Sequence, residues 1–392
     1  MSFRFSLRKN LNGNLFSLYL IGFFFSLHIA LPAYINSTFL SGFVTERYVG
    51  LLYALSSLLT IVSFSMIPRV LSKFGNYKTA TTLAVVGAIS LVILATSHNP
   101  YIVEGAFIIN FVIISLVSFN IDIFLEEFSP VRSTGKVRGT FLTFTNSAWV
   151  ISALFASFIL AAGNYSKIYL ASAILALPVI GLLGSQFRKF KDPQYHTSSL
   201  LRTSAEVWKN KNVLDVFLMN FLLQFFYAWM VIYTPLYLYE NVGFTWSEIS
   251  LMFAIMLLAF PILDWPLGRL ADTRFGEKEM LTIGFIIMAI STTLIIFIPG
   301  HNFLLWTCLL LGTRIGAAMV EVMSEIYFFK KVPDTSLNTL SFFRTMRPIA
   351  YLGSPILATI VLAFFDIKFL FIFLGILMLY GLRFSLTMKD TR

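Results

Sequence analysis

Residues 268–276 read Gly-Arg-Leu-Ala-Asp-Thr-Arg-Phe-Gly, and residues 68–75 read Pro-Arg-Val-Leu-Ser-Lys-Phe-Gly. Both are short basic segments that close one apolar run and open the next. Working outward, Leu31-Pro-Ala-Tyr34 matches Thr234-Pro-Leu-Tyr237, and Ser97-His-Asn-Pro-Tyr101 matches Gly300-His-Asn-Phe-Leu304, both at an offset of 203 residues. Three matches in the same order, at nearly the same separation, make the two halves of the chain copies of one another.

The runs between these matches are membrane spans. Of 392 residues, 57% are hydrophobic and 12% charged, whereas a soluble domain carries roughly 25% charged residues. A helix needs about 20 apolar residues to cross a hydrocarbon core of roughly 30 Å. Twelve stretches qualify, at 15–36, 47–68, 79–97, 101–125, 139–162, 166–187, 213–239, 247–268, 280–299, 302–328, 342–365 and 368–386. Only a helix satisfies its backbone in lipid without pairing to other segments, and no alternating ten-residue strand pattern recurs, so the expected class is all-α and polytopic.

Lys and Arg alternate in side from loop to loop. One side takes the N-terminus, the second loop (Arg69, Lys73, Lys78), the fourth (Arg132, Lys136, Arg138), the sixth (Arg188 to Lys211), the eighth (Arg269, Arg274, Lys278), the tenth (Lys330, Lys331, Arg344, Arg347) and the C-terminus; the other has Arg47, Lys167 and Lys368. The positive-inside rule then puts both termini in the cytoplasm, which requires an even number of spans. The net charge of +10 reflects topology and anionic inner-leaflet lipid rather than nucleic acid. The expected location is a bacterial cytoplasmic membrane. Cys308 is the sole cysteine, so no intrachain disulfide forms and a thiolate metal site is not expected. No cofactor is expected. The first apolar segment reads as a retained anchor rather than a cleaved leader.

The longest polar stretch, residues 188–212, separates an N-terminal six-helix bundle (1–187) from a C-terminal one (213–392). Within it Thr203 and Glu206 have capping-box spacing, and Leu201, Ala205 and Trp208 share a helical face, which suits a short helix lying at the membrane surface; a solvated linker is the alternative.

At this point the chain resembles the major facilitator superfamily. Gly268-Arg269-Leu270-Ala271-Asp272, followed by Arg274, Gly276 and Lys278, is similar to that family's loop signature Gly-x-Leu-Ala-Asp-Arg-x-Gly-Arg-Lys, with one extra residue before Gly276. The copy between spans two and three is degraded: Pro68 stands at the first Gly and Ser72 at the Asp. The resemblance covers the whole chain and implies twelve helices in two pseudo-symmetric bundles. It implies that Gly268, Asp272, Arg274 and Gly276 latch one conformation of an alternating-access transporter. Physically, Gly268 permits close helix approach, Asp272 suits the positive N-terminal end of another helix, and Arg274 suits carboxylates or lipid. The alternative is that the basic residues only anchor topology.

Ionisable residues inside lipid cost about 2.5 to 3.5 kcal/mol each on insertion scales, so their positions mark a site. Spans three, six, nine and twelve have none in their interiors. Span one has His28, four has Asp122, eight has Asp264, ten has Arg314, Glu321 and Glu325, and eleven has Arg344 and Arg347 near its inner end. The three groups of span ten fall within about 20° of one helical face. Arg314 and Glu321 are about 10.5 Å apart along the axis, too far for an easy direct pair. With Pro333 as the turn of an antiparallel hairpin, the depth of Glu321 matches Arg347 and that of Glu325 matches Arg344 within about 5 Å. These residues and Asp122 form the expected ion network, with proton coupling at Glu321 or Glu325. A structural network holding helices together is the alternative. Arg314 lacks an obvious hairpin partner and is assigned to an anionic group of the substrate.

Span seven offers Gln224, Tyr227 and Tyr237, whose aromatic faces and amide end suit an amphipathic molecule or sugar, or else aromatic packing. Asn146, the repeat counterpart of Arg347, and His28 complete the expected substrate cavity; a lone helical His is also often only a packed hydrogen-bonding residue. Pro235 is expected to bend the outer end of span seven, as Pro32 does in span one.

The leading expectation is a secondary transporter of a small organic solute, proton-coupled and working as a monomer among membrane lipids. Uptake of a sugar or metabolite and efflux of an amphipathic compound both remain open. Span five lacks the Gly-x-x-x-Gly-Pro-x-x-Gly-Gly motif frequent in antiporters of the family, which weakens efflux. Four scattered histidines and the lack of a Gly-rich Walker loop argue against an enzyme or an ATP-driven pump. A transporter-like sensor or a lipid scramblase is the alternative class.

Overall fold

A computed structural model describes residues 2–33, 35–44, 46–130, 133–160, 165–193, 195, 200–273, 276–298, 300–331 and 337–389. These form sixteen α-helices with no β-strand among them. In chain order they are α1 (Ser2–Ala33), α2 (Asn36–Ser41), α3 (Glu46–Phe74), α4 (Asn76–Thr96), α5 (Pro100–Glu127), α6 (Thr134–Leu160), α7 (Tyr165–Gln186) and α8 (Leu200–Lys209). Then come α9 (Lys211–Leu236), α10 (Trp246–Leu257), α11 (Ala259–Thr273), α12 (Glu277–Leu294), α13 (Phe303–Lys331), α14 (Leu337–Arg344), α15 (Met346–Leu362) and α16 (Phe369–Thr387). Eleven helical segments among the described residues are long and apolar enough to cross a bilayer, and α6, at 27 residues, is a twelfth long helix. The eighth span is α10 continued by α11 and the eleventh is α14 continued by α15. The fold is all-α and polytopic.

The described chain divides into two compact units. One comprises Met1–Pro130, Phe144–Thr203 and Asp334–Thr345; the other comprises Val131–Thr143, Ser204–Pro333 and Met346–Arg392. The opening turns of α6 thus group with the later helices, and α14 groups with the earlier ones.

In the first unit α4 packs on α5 and α7, α1 on α7, and α3 on α5 and α14. Leu31, Phe39, Leu91, Phe107 and Tyr169 share one apolar cluster. Buried polar atoms tie its helices together: Tyr169 Oη donates to Asn36 Oδ1 at 2.7 Å, Asn110 Nδ2 to Ser90 Oγ at 2.9 Å, and Asn76 Nδ2 to the Asn120 carbonyl at 3.0 Å. In lipid such bonds supply part of the helix association that the hydrophobic effect supplies in water.

In the second unit α12 packs on α13 and α16, α9 on α15, α16 and α13, and α11 on α13. The α12 and α13 backbones meet at Gly284 and Gly316, where a Cβ on Gly316 would stand 2.7 Å from the Gly284 carbonyl oxygen. Trp229 Nε1 of α9 donates to the Ser354 carbonyl at 2.7 Å.

Local chemistry sets several helix ends. Thr245 and Glu248 form a reciprocal capping box that opens α10, the motif expected instead at Thr203 and Glu206. There the helix already begins at Leu200, leaving Thr203 inside it and buried; the spacing alone did not fix the start. Pro235 lies in the last turn of α9, and the chain continues as a π-helical turn, Tyr237–Val242, that ends at Gly243 with φ 88°.

Candidate functional site

Span ten is the unbroken helix α13, which carries Arg314, Glu321 and Glu325. Arg314 and Glu325 are buried and Glu321 is half-buried. Helix α9 brings Tyr227 against this face, and its hydroxyl donates to Glu321 Oε2 at 2.7 Å. Arg314 lies with its guanidinium carbon 5.4 Å from the Phe226 ring centre and 6.0 Å from that of Tyr227, within the range of a cation–π contact. Arg314 and Asp264, the fully buried acid of α11, are both near enough to act electrostatically on Tyr227. Three helices of the second unit therefore bring two acids, one guanidinium and one phenol together. Tyr227 fixes Glu321, and the Phe226 and Tyr227 rings cover Arg314.

The hairpin register paired Glu321 with Arg347 and Glu325 with Arg344. The structure gives Arg347 a different contact and gives Arg344 one with Asp122. Arg344 Nε donates to Asp122 Oδ2 of α5 at 2.7 Å, within the first unit. Arg347 is exposed and lies over Tyr351, 5.6 Å from its ring centre. For Arg347 the reason is local: a turn at Thr345, whose N–H is shared between the carbonyls of Ser341 and Phe342, separates it from α14, so depth counted as one continuous helix does not carry to it. Pro333 lies outside the described residues.

At the loop signature, Gly268 of α11 meets Gly135 and Gly139 of α6. A Cβ on any of the three would collide with backbone: with the Gly135 carbonyl from Gly268, with the Gly268 carbonyl from Gly135, and with the Asp264 carbonyl from Gly139. The same crossing delivers Asp272 to the first turn of α6. Its Oδ1 accepts from the Gly135 N–H at 3.2 Å and its Oδ2 from the Lys136 N–H at 2.9 Å, so a carboxylate neutralises helix N–H groups that have no intrahelical partner. Lys330 Nζ, at the end of α13, sits 3.2 Å from Asp272 Oδ1 and 2.8 Å from Glu277 Oε1. Gly276 precedes α12 with extended backbone, φ −71° and ψ 158°. Arg274 lies outside the described residues. Beside this cluster the buried Arg138 guanidinium stacks on Phe329, 3.3 Å from the ring centre.

The degraded copy in the first unit is built another way. Gly75 precedes α4 with φ 78°, a left-handed value suited to glycine. Ser72 stands at the motif's Asp position, and a carboxylate from beyond α7 meets the start of α4 instead: Asp192 Oδ1 accepts from the Asn76 N–H and from Tyr195 Oη, both at 2.6 Å. An open groove of about 590 Å³, lined by Ser72, Lys73, Phe74, Asp192 and Tyr195 among others, runs beside this contact.

The remaining cavity candidates have contacts of their own. Gln224 Nε2 reaches Asn220 Oδ1 at 3.5 Å. Tyr237, on the π-helical turn, packs against Trp306 and Phe371 with ring centres 5.9 and 5.3 Å away. Asn146 and His28 belong to the first unit; His28 is buried, packs on Phe25 and has its backbone carbonyl bonded by Ser172 Oγ at 2.5 Å. Asp264, Lys330, Glu277, Asp192 and the pair Gly135 and Gly139 were not assigned from sequence. Asp264 carried the same insertion cost as the residues that were chosen, and Gly135-x-x-x-Gly139 has the spacing of a close helix contact; Asp192, Lys330 and Glu277 read only as loop and helix-end charges. Among the described residues no group of three or more His, Cys, Asp or Glu is placed to hold a metal ion.

Comparison with known proteins followed the same lines. The family described as Major Facilitator Superfamily matches residues 216–390. No curated protein matches the chain in sequence. Among solved structures, the human organic anion transporter MFSD10 (TETRAN) is similar with a TM-score of 0.76 over 96% of this chain and 99% of that one, at 13% identity. Family and fold point to a transporter rather than an enzyme. The family match thus covers the later helices, and the likeness to the solved structure extends the same fold along nearly the whole length.

Proposed function

We propose that the chain is a secondary transporter that moves a small organic solute by alternating access and couples that movement to protons through Glu321. The observation that carries this reading is the Tyr227 to Glu321 hydrogen bond within a cluster that also holds Arg314 and Asp264. A carboxylate among a phenol, a guanidinium and a second acid changes its protonation when solvent access changes, because desolvation and neighbouring charge act on it in opposite senses. Arg314 supplies a cation held against aromatic faces, the arrangement that recognises a planar acidic group. We therefore take the substrate to be an organic anion with an apolar body, and the similarity to a structure titled an organic anion transporter favours the same class. Asp272 at the start of α6 serves in this reading as the latch of one access state.

The test is flux in proteoliposomes of purified protein under an imposed pH gradient, with a panel of carboxylate, neutral and cationic aromatic solutes. Accumulation of the carboxylates, dissipated by a protonophore and lost in Arg314→Gln, is the expected result, and its sign gives the direction. Carboxylate accumulation that ignores the gradient would overturn the coupling. Movement of labelled lipid without solute flux would make the protein a scramblase, and binding without either would make it a sensor.

A further inference from the structure

We infer that α8 is a surface anchor whose exposed apolar edge inserts into the anionic leaflet beside α9. The helix is ten residues long, about 15 Å, and a single residue, Asn210, separates it from α9. Asn210 caps α9, its Oδ1 accepting from the Val213 N–H at 3.4 Å, so the end of α8 is fixed at the point where the chain enters lipid.

Around the α8 axis the residues sort by chemistry. Thr203 and Val207 are buried at 0% and 3% exposure and face protein. At 100° per residue, Ala205 and Trp208 fall within about 60° of each other on a different face. Both are exposed, and Trp208 shows 69% of its surface. Exposed Arg202 and Lys209 come next around the axis, about 40 to 120° from that pair. Glu206 lies beyond them, about 100 to 160° from the apolar pair.

A large exposed indole, with cations along one flank of its face and the acid farther round, is the pattern of a helix lying in a headgroup layer. Water is a poor explanation for the indole, whereas the headgroup region is where tryptophan settles. Exposed Lys211, Lys189 and Lys191 extend the same sign of charge along the linker, and each cation near an anionic surface adds to its attraction. The occupant of this face is therefore anionic lipid. The assignment takes the linker to be cytoplasmic, as the distribution of Lys and Arg directs.

The test uses full-length protein with Cys308→Ser as background and a spin label at Ala205→Cys or Glu206→Cys, reconstituted in nanodiscs of phosphatidylglycerol or of phosphatidylcholine. Collision with oxygen and with a water-soluble nickel chelate reports depth. In phosphatidylglycerol the ratio of oxygen to nickel accessibility should be at least threefold higher at position 205 than at 206, and Trp208→Ser should bring the two together. In phosphatidylcholine the contrast should fall at least twofold. Equal ratios at the two positions in phosphatidylglycerol would overturn insertion, and an undiminished contrast in phosphatidylcholine would overturn the role of lipid charge. Solute flux plays no part in the readout, so the outcome is independent of the transport proposal.

Discussion

Tyr227 and Glu321, 94 residues apart in the chain, are joined side chain to side chain across 2.7 Å between α9 and α13. The bond removes one donor and one acceptor from a lipid-embedded region where each would be costly alone. It also places the acid of α13 under control of a helix other than its own.

Glu321→Gln should abolish gradient-driven accumulation while leaving downhill exchange, because the amide keeps the shape and loses the titratable proton. Tyr227→Phe should lower stability by about 1 kcal/mol, the cost of a half-buried acceptor that loses one donor, with accumulation reduced rather than abolished. Parallel proton-flux and solute-flux assays with melting curves separate the two. Normal coupling in Glu321→Gln would remove Glu321 from the proton path.

The pair of Asp122 and Arg344 is tested by a double-mutant cycle. Asp122 shows 5% of its side chain and Arg344 22%, so removing either end disturbs a largely desolvated pair, at up to about 3 to 5 kcal/mol. Asp122→Asn and Arg344→Met should each destabilise the protein, and the double variant should lose less than the sum of the two. Strictly additive effects in thermal or denaturant melts would show that the two residues act apart.

The glycine crossing gives a contrast within one residue type. Gly268→Ala, Gly135→Ala and Gly139→Ala each drive a methyl group into backbone and should cost about 1 to 3 kcal/mol. At Gly181 and Gly353 the place a methyl group would take has nothing within 4 Å, and alanine there should be neutral or stabilising by up to about 1 kcal/mol, since helical glycine carries an entropic penalty. Melting temperatures of the five variants in one detergent decide the matter.

Tyr195 makes a prediction about pH. Burial, then its hydrogen bond to Asp192 and the negative charge of Asp192 and Glu127, push its phenol well above the usual 10.0. The stability that depends on the neutral phenol is complete below about pH 10 and is lost as pH rises beyond it, because the unfolded chain ionises first. Wild type should therefore lose stability faster than Tyr195→Phe between about pH 10 and 11. Parallel slopes for the two proteins would contradict this.

The spans were legible because hydropathy is a local property: α4, α5, α9 and α13 run within a few residues of the apolar stretches that announced them. The ionisable groups were legible for the same reason, since each stands out against its own segment. Partner choice was not. Arg347 looked as if it belonged with Glu321 while span eleven was treated as one continuous helix, and the turn at Thr345 has no strong sequence mark. Asp192 was equally hidden. It meets Asn76 across 116 residues, and only the folded chain shows that it caps the start of α4.

Chain order gives the Asp122 and Arg344 pair a meaning in time. The two residues are 222 positions apart, and at ribosomal rates of about 5 to 20 residues per second the interval is about 11 to 44 seconds. Asp122 is thus made, and its span delivered to the bilayer, long before its guanidinium exists. The unit that begins first on the ribosome is closed by a segment from the eleventh span, so nascent chains cut short of residue 344 will carry every early helix and still lack a finished first unit.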